Sequence, residues 1–283
     1  MIPPGYSELI KVATTQYWNC RPCNIRHSNA PIDSLQFSRE VTARKYAVEP
    51  HIKNFAQHPE WCGKRVLDLG CGIGTDSLEF ARYGAMVTAV DFSQESIYIL
   101  NNRAKVEGLN DHICEVTDDI EGLHRLDAAG LGFDLVWSFG VLHHTPNPQA
   151  ALKAAHHRAK PDAELRFMVY HRYSWKALWI LANYGGFRFW ELKDLIRQYS
   201  EAQVGSPLTE TYTRKEARKL AESAGWKVTR MQVAHIFPYR IKDYKEGRLV
   251  KEWYWRWMPR PLFALLEQLL GWHLLVWARK DVK

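Results

Sequence analysis

The stretch that decides the fold is Val66-Leu67-Asp68-Leu69-Gly70-Cys71-Gly72-Ile73-Gly74-Thr75, followed by Val87-Thr88-Ala89-Val90-Asp91. A short apolar run enters a glycine-rich turn and passes into a helical pattern from Asp76 to Tyr83. A second apolar run then ends on an acid. Strand, turn, helix and strand in that order make the βαβ unit of a nucleotide-binding sheet. Gly70 and Gly72 permit a tight turn and let a ligand approach the backbone without a Cβ in the way. The helix that follows offers unpaired N–H groups at its start. Asp91, 17 residues beyond Gly74, is placed to accept hydrogen bonds from ribose hydroxyls at the tip of the second strand.

The nucleotide is narrowed by what departs from a dinucleotide fingerprint. That fingerprint reads G-x-G-x-x-G and holds a pyrophosphate at a helix N-terminus. Here the third glycine, Gly74, comes one position early, and Asp68 stands two residues before the first. A carboxylate there repels phosphate and suits a ligand with cationic groups. The D-L-G-C-G-x-G form with Asp91 downstream closely resembles the class I, seven-stranded S-adenosylmethionine-dependent methyltransferase superfamily. A second stretch, Phe133-Asp134-Leu135-Val136-Trp137-Ser138 with Phe139-Gly140-Val141-Leu142-His143-His144, resembles the same superfamily, particularly its small-molecule and quinone-type members.

The resemblance implies an α/β fold: a doubly wound, mostly parallel seven-stranded sheet with an N-terminal helical cap and helical insertions over the acceptor pocket. Residues 1–60 are expected to form the cap or lid and 61–171 the donor-binding core. Residues 172–212 would be an insertion over the substrate pocket, and 213–283 would complete the sheet around an aromatic-rich insertion at 238–271. The resemblance assigns the donor to Asp68, Gly70, Cys71, Gly72, Thr75, Asp91, Phe92 and Ser93. After the third strand, Asp119 with Ile120, or Asp118 in their place, would meet the adenine; Ser138, Phe139 and Gly140 would line the methionine end. Tyr46, Tyr17 and Trp18 are the lid candidates, Tyr46 over the donor and the other two toward the acceptor. At the strand ends, His143, His144, Tyr170 and His171 are the candidate bases. Arg172 and Tyr173 are candidate substrate contacts, Arg172 suited to a carboxylate.

Composition agrees with this and excludes other classes. The chain has 283 residues, 46% of them hydrophobic and 24% charged, ordinary values for a soluble globular protein. No apolar run approaches the ~20 residues of a membrane span, and Met1 to Leu9 lacks a signal-peptide core, so a cytoplasmic location is expected. The net charge of +7 is spread along the chain rather than gathered in a basic block, which disfavours a nucleic-acid partner. The five cysteines are scattered; Cys20-x-x-Cys23 has no second pair, so neither a disulfide framework nor a metal site is expected. Trp253, Tyr254, Trp255 and Trp257, then Leu262 to Leu270, form a basic-aromatic amphipathic patch. Its spacing is that of a core-facing helix, so packing is expected, with a membrane surface, a cover over a lipophilic substrate or a homodimer face as the alternatives.

The activity expected is methyl transfer from S-adenosylmethionine to N, O or C of a small-molecule acceptor, leaving S-adenosylhomocysteine. The motifs recognise adenosine and methionine rather than the bond broken. An enzyme of the same fold that attacks another carbon, or cyclises the aminobutyrate moiety and releases methylthioadenosine, fits the same residues. A non-catalytic binding protein is disfavoured by intact Asp68, Gly70, Gly72 and Asp91.

Overall fold

The computed structural model describes residues 6–126, 132–200 and 206–281. Its centre is a seven-stranded sheet in the order β3-β2-β1-β4-β5-β7-β6. The strands are β1 (Arg65–Leu69), β2 (Met86–Asp91), β3 (Ile113–Thr117), β4 (Phe133–Phe139), β5 (Ala159–Tyr170), β6 (Trp226–Ala234) and β7 (His273–Lys280). β1 to β5 pair in parallel, while β7 runs antiparallel between β5 and β6. This is the doubly wound, mostly parallel sheet that the sequence predicts, with β1 and β4 adjacent at the point where strand order reverses. Ligands in such sheets sit at that switch point, beyond the carboxyl ends of the strands.

Helices cover both faces: α1 (Tyr6–Cys20), α2 (Leu35–Val48), α3 (His51–Ala56), α4 (Thr75–Arg82), α5 (Gln94–Glu107) and α6 (Pro148–Arg158), then α7 (Trp175–Tyr184), α8 (Leu192–Tyr199), α9 (Arg214–Glu222), α10 (Ile241–Lys245), α11 (Trp253–Arg256) and α12 (Arg260–Leu270). Their ends follow local chemistry. Ser93 accepts from Ser96 N to start α5, and Thr213 with Glu216 forms a full capping box on α9. Pro50 separates α2 from α3, because it has no N–H to continue the ladder.

β1 feeds one core layer from Val66 and the other from Leu67 and Leu69. The turn after it is anchored by Gly70 and Cys71, whose N–H groups both donate to the Val90 carbonyl at 2.7 and 3.0 Å. A Cβ on Gly74 would lie 2.1 Å from a Leu100 methyl carbon, so the turn is pressed onto α5.

The aromatic-rich stretch at 238–271 packs only in part. Trp255 is buried, but Trp253 and Trp257 are exposed, as are Leu262, Leu265 and Leu269 on one face of α12. The period was legible, but α12 rests on β6 through its other side. Among the described residues no helix is long and apolar enough to cross a membrane.

Candidate active site

The carboxyl ends of β1 to β4 open on a cavity of about 200 Å³. Gly70, Cys71, Gly72, Ile73 and Thr75 form one wall, with Asp91 and Phe92 after β2 and Asp119 and Ile120 after β3. Phe139, Gly140 and Val141 follow from β4, His144 stands beyond them, and Lys45 enters from α2. α1 lays Lys11, Thr14, Thr15 and Trp18 along the same space.

Asp91 organises the wall. One carboxylate oxygen accepts from Gly72 N and the other from Ser93 N, each at 2.8 Å. Burial pushes its pKa up, opposed by those backbone donors. Each carboxylate oxygen has a further lone pair with which to accept from a ligand. Across the cavity Asp119 accepts from Lys11 Nζ at 2.7 Å, and Lys11 also pairs with Glu121 at 2.6 Å. Burial works against the Lys11 charge, but the two acids hold it above the usual lysine range.

Lys45 is 3.0 Å from Asp76, in a buried pair. Asp76 also accepts from Tyr46 Oη at 2.9 Å and Trp137 Nε1 at 3.2 Å. Burial opposes both charges; Asp76 and Glu49 nevertheless raise Lys45, while Lys45, with the Tyr46 hydrogen bond, lowers Asp76. The result is a fixed cation on the cavity wall.

His144 Nδ1 lies 2.6 Å from the Leu208 carbonyl. That contact requires the proton on Nδ1 and makes Nε2 the basic nitrogen. The Trp18 ring meets His144 edge-on at 5.6 Å.

The remaining sequence candidates stand off the cavity. Asp68 is buried and accepts from Ser77 Oγ at 2.5 Å; burial pushes its pKa up to about 7. Tyr46 is held on Asp76, Ser93 caps α5, and Ser138 Oγ donates to the Leu69 carbonyl. Asp118 accepts from Arg125 N, so Asp119 rather than Asp118 faces the cavity. His143 is buried with neither ring nitrogen hydrogen-bonded and lies against Tyr170, the ring centroids 3.6 Å apart and the planes tilted by 34°. Burial holds its pKa well below the ordinary value. Tyr170 lies between His143 and Trp272, and His171 contacts the Gly271 carbonyl. Arg172 pairs with Glu216 and donates to the Thr211 carbonyl, while Tyr173 is exposed. Tyr17 packs on Trp18 but does not line the cavity.

Sequence reading missed Lys11, Thr14, Lys45 and Glu121, whose positions depend on how the cap folds over the sheet. Among the described residues, Glu49, His235 and His273 also come together from distant parts of the sequence.

The cavity suits a nucleoside with a zwitterionic tail. Asp91 matches a diol, Lys45 a carboxylate and Asp119 an amino group. Thr14 Oγ1 is buried without a partner, and a Cβ on Gly72 would meet no protein atom within 4 Å.

Residues 42–231 match the methyltransferase domain family, and the chain belongs to it, within the S-adenosylmethionine-dependent methyltransferase superfamily. A ubiquinone biosynthesis O-methyltransferase of Coxiella burnetii (strain Dugway 5J108-111) is 39% identical over 122 residues, 43% of this chain and 50% of that protein. The chain thus spans about half the length of the curated relatives it matches. Among solved structures, the magnesium protoporphyrin IX methyltransferase of Synechocystis PCC 6803 with bound S-adenosylhomocysteine superposes with a TM-score of 0.60 at 16% identity, covering 96% of this chain and 100% of that one. The 1,6-didemethyltoxoflavin-N1-methyltransferase of Burkholderia thailandensis gives 0.55 at 18% identity, covering 99% and 92%. At these identities the likeness is one of fold.

Proposed function

We propose that the protein is a small-molecule methyltransferase that uses S-adenosylmethionine and methylates a hydroxyl oxygen of an aromatic acceptor. The observation that carries this reading is the glycine turn pinned by Asp91, facing a cavity that also holds Asp119, Lys45 and His144. The choice of oxygen rests on the Coxiella relative and on the flat rings of Trp18 and Phe139 along the cavity.

Bound S-adenosylmethionine would supply a methyl group already activated by its sulfonium. The chain's own residues then bind and align. Asp91 accepts from the ribose hydroxyls, and Lys45 pairs with the methionine carboxylate. Asp119 accepts from the adenine amino group in place of Lys11. Alignment of this kind is worth up to about 7–11 kcal/mol of the barrier. His144 Nε2 takes the acceptor proton, a contribution of about 10²–10⁴-fold for a positioned base.

The test is calorimetric binding of S-adenosylmethionine and S-adenosylhomocysteine to the wild type and Asp91→Ala, then mass spectrometry of the donor after incubation with catechol-type acceptors. Binding abolished by the substitution, together with S-adenosylhomocysteine and an O-methylated ring, supports the proposal. Methylthioadenosine as the product would move the reaction to another carbon, and absence of donor binding would overturn the reading.

A further inference from the structure

Four residues that methyl transfer does not use converge beside Phe139. Glu49 caps the end of α2, His51 opens α3, His235 follows β6 and His273 opens β7. Phe139 is 6.1 Å from the His51 ring and 5.5 Å from the His273 ring, and it also lines the donor cavity. One ligand atom from each of Glu49, His235 and His273 lies within 4.8 Å of the others. His273 Nε2 is 3.6 Å from Glu49 Oε1. Two ligands held about 2.0–2.1 Å from one tetrahedral ion are about 3.4 Å apart, so this pair already has ligand spacing.

The surroundings fit the same reading. His273 Nδ1 is 2.9 Å from His51 Nε2. Donation from that Nδ1–H leaves the Nε2 lone pair on the side of Glu49, and an outer partner of this kind is what orients a metal-bound histidine. His51 in turn stacks on His235 at 5.0 Å and 26°. His235 is buried and has φ 68°, a left-handed conformation that is costly for a residue with a side chain, yet the fold keeps it there.

We propose that Glu49, His235 and His273 form a binding site for a divalent first-row transition ion such as zinc, with His51 as the residue that orients His273. Two histidines and one carboxylate are a known zinc donor set and leave a fourth position open. An ion there ties the α2–α3 junction of the cap to the β6–β7 edge of the sheet, four residues from Lys45. The site stands on its own residues and does not depend on the donor or acceptor assigned above.

The test uses tag-free protein stripped with a chelator and titrated with zinc chloride by calorimetry, with metal content measured by elemental mass spectrometry. The expected result is one zinc per chain and a thermal midpoint that rises with zinc. Glu49→Gln and His273→Gln are each expected to weaken binding at least tenfold. The double substitution Cys20→Ser with Cys23→Ser should leave binding unchanged, and the cobalt(II) form should show no thiolate charge-transfer band. Glu49→Gln changes a partly exposed, isosteric side chain and decides the matter if His273→Gln fails to fold. No zinc uptake, or uptake that survives Glu49→Gln and disappears with the two cysteines, would overturn the proposal.

Discussion

Arg103 is fully buried on α5 and joins the cap to the glycine turn, so its replacement by methionine should loosen both. Its guanidinium donates to Ser38 Oγ at 2.9 Å, the Ser38 carbonyl at 3.2 Å and Thr42 Oγ1 at 2.9 Å, all on α2. It also donates to the Ile73 carbonyl at 2.6 Å and Thr75 Oγ1 at 3.0 Å, either side of Gly74. At about 1–1.5 kcal/mol net each, five such bonds contribute about 6 kcal/mol. Against them stands desolvation: burial pulls the Arg103 pKa down to about 10, a penalty on the charge of about 3 kcal/mol. The difference is about 3 kcal/mol, and the carbonyls left unpaired by Arg103→Met add to the loss, giving about 3–5 kcal/mol. With about 2.1 cal/mol/K of unfolding entropy per residue, this lowers the thermal midpoint by roughly 5–9 °C. Urea unfolding followed by circular dichroism should show the loss in the midpoint, with the slope unchanged. Arg103→Lys keeps a charge but not the planar fork that reaches both partners, and should lose at least about 2 kcal/mol. Because Lys45 rides on α2, binding of S-adenosylhomocysteine should also weaken by about tenfold or more. A loss below about 1 kcal/mol in Arg103→Met would refute the reasoning, since it would mean that apolar packing replaces the guanidinium.

Two further outcomes are expected. In Gly271→Ala the new Cβ would lie 2.2 Å from the Ala234 carbonyl oxygen and 2.6 Å from that of Glu267. Because both contacts are backbone, the β6–α12 junction must move apart, at a cost of about 1–3 kcal/mol; a thermal midpoint within 1–2 °C of the wild type (about 1 kcal/mol) would count against it. His58 is buried beside Phe80 and Tyr83, and burial leads in lowering its pKa to about 4. The native state therefore holds this ring neutral while the unfolded chain protonates it below about pH 6.5. Its contribution is present in full above that pH and is lost as pH falls toward 4, at about 1.4 kcal/mol per pH unit. His58→Leu should flatten the fall in stability across that window by about this slope, measured by urea unfolding at several pH values, and an unchanged slope would contradict the assignment.

What was legible in the sequence was what short segments determine by themselves. The glycine turn and Asp91 at the next strand tip are set within one βαβ unit, and the structure has them. Position along a strand was legible, but the layer it serves was not. Asp68 precedes the turn as read, yet its side chain runs to Ser77 on α4 rather than into the cavity. The same holds for Ser138, which closes on the Leu69 carbonyl. Lys11, Lys45 and the Glu49–His235–His273 cluster were not legible at all, since their partners are distant in sequence and meet only in the folded chain.

The same separation indicates where acceptor choice resides. The family match runs from 42 to 231, whereas Lys11, Thr14 and Trp18, which line the cavity, precede it. Gly70, Gly72, Asp91 and Asp119, proposed above to hold the donor, lie inside the match. The residues that close the cavity from outside the match carry no donor contact in that proposal. Exchanging α1 should therefore change which acceptor is taken more than how tightly the donor binds, and a donor affinity that moved in step with acceptor choice would contradict this division.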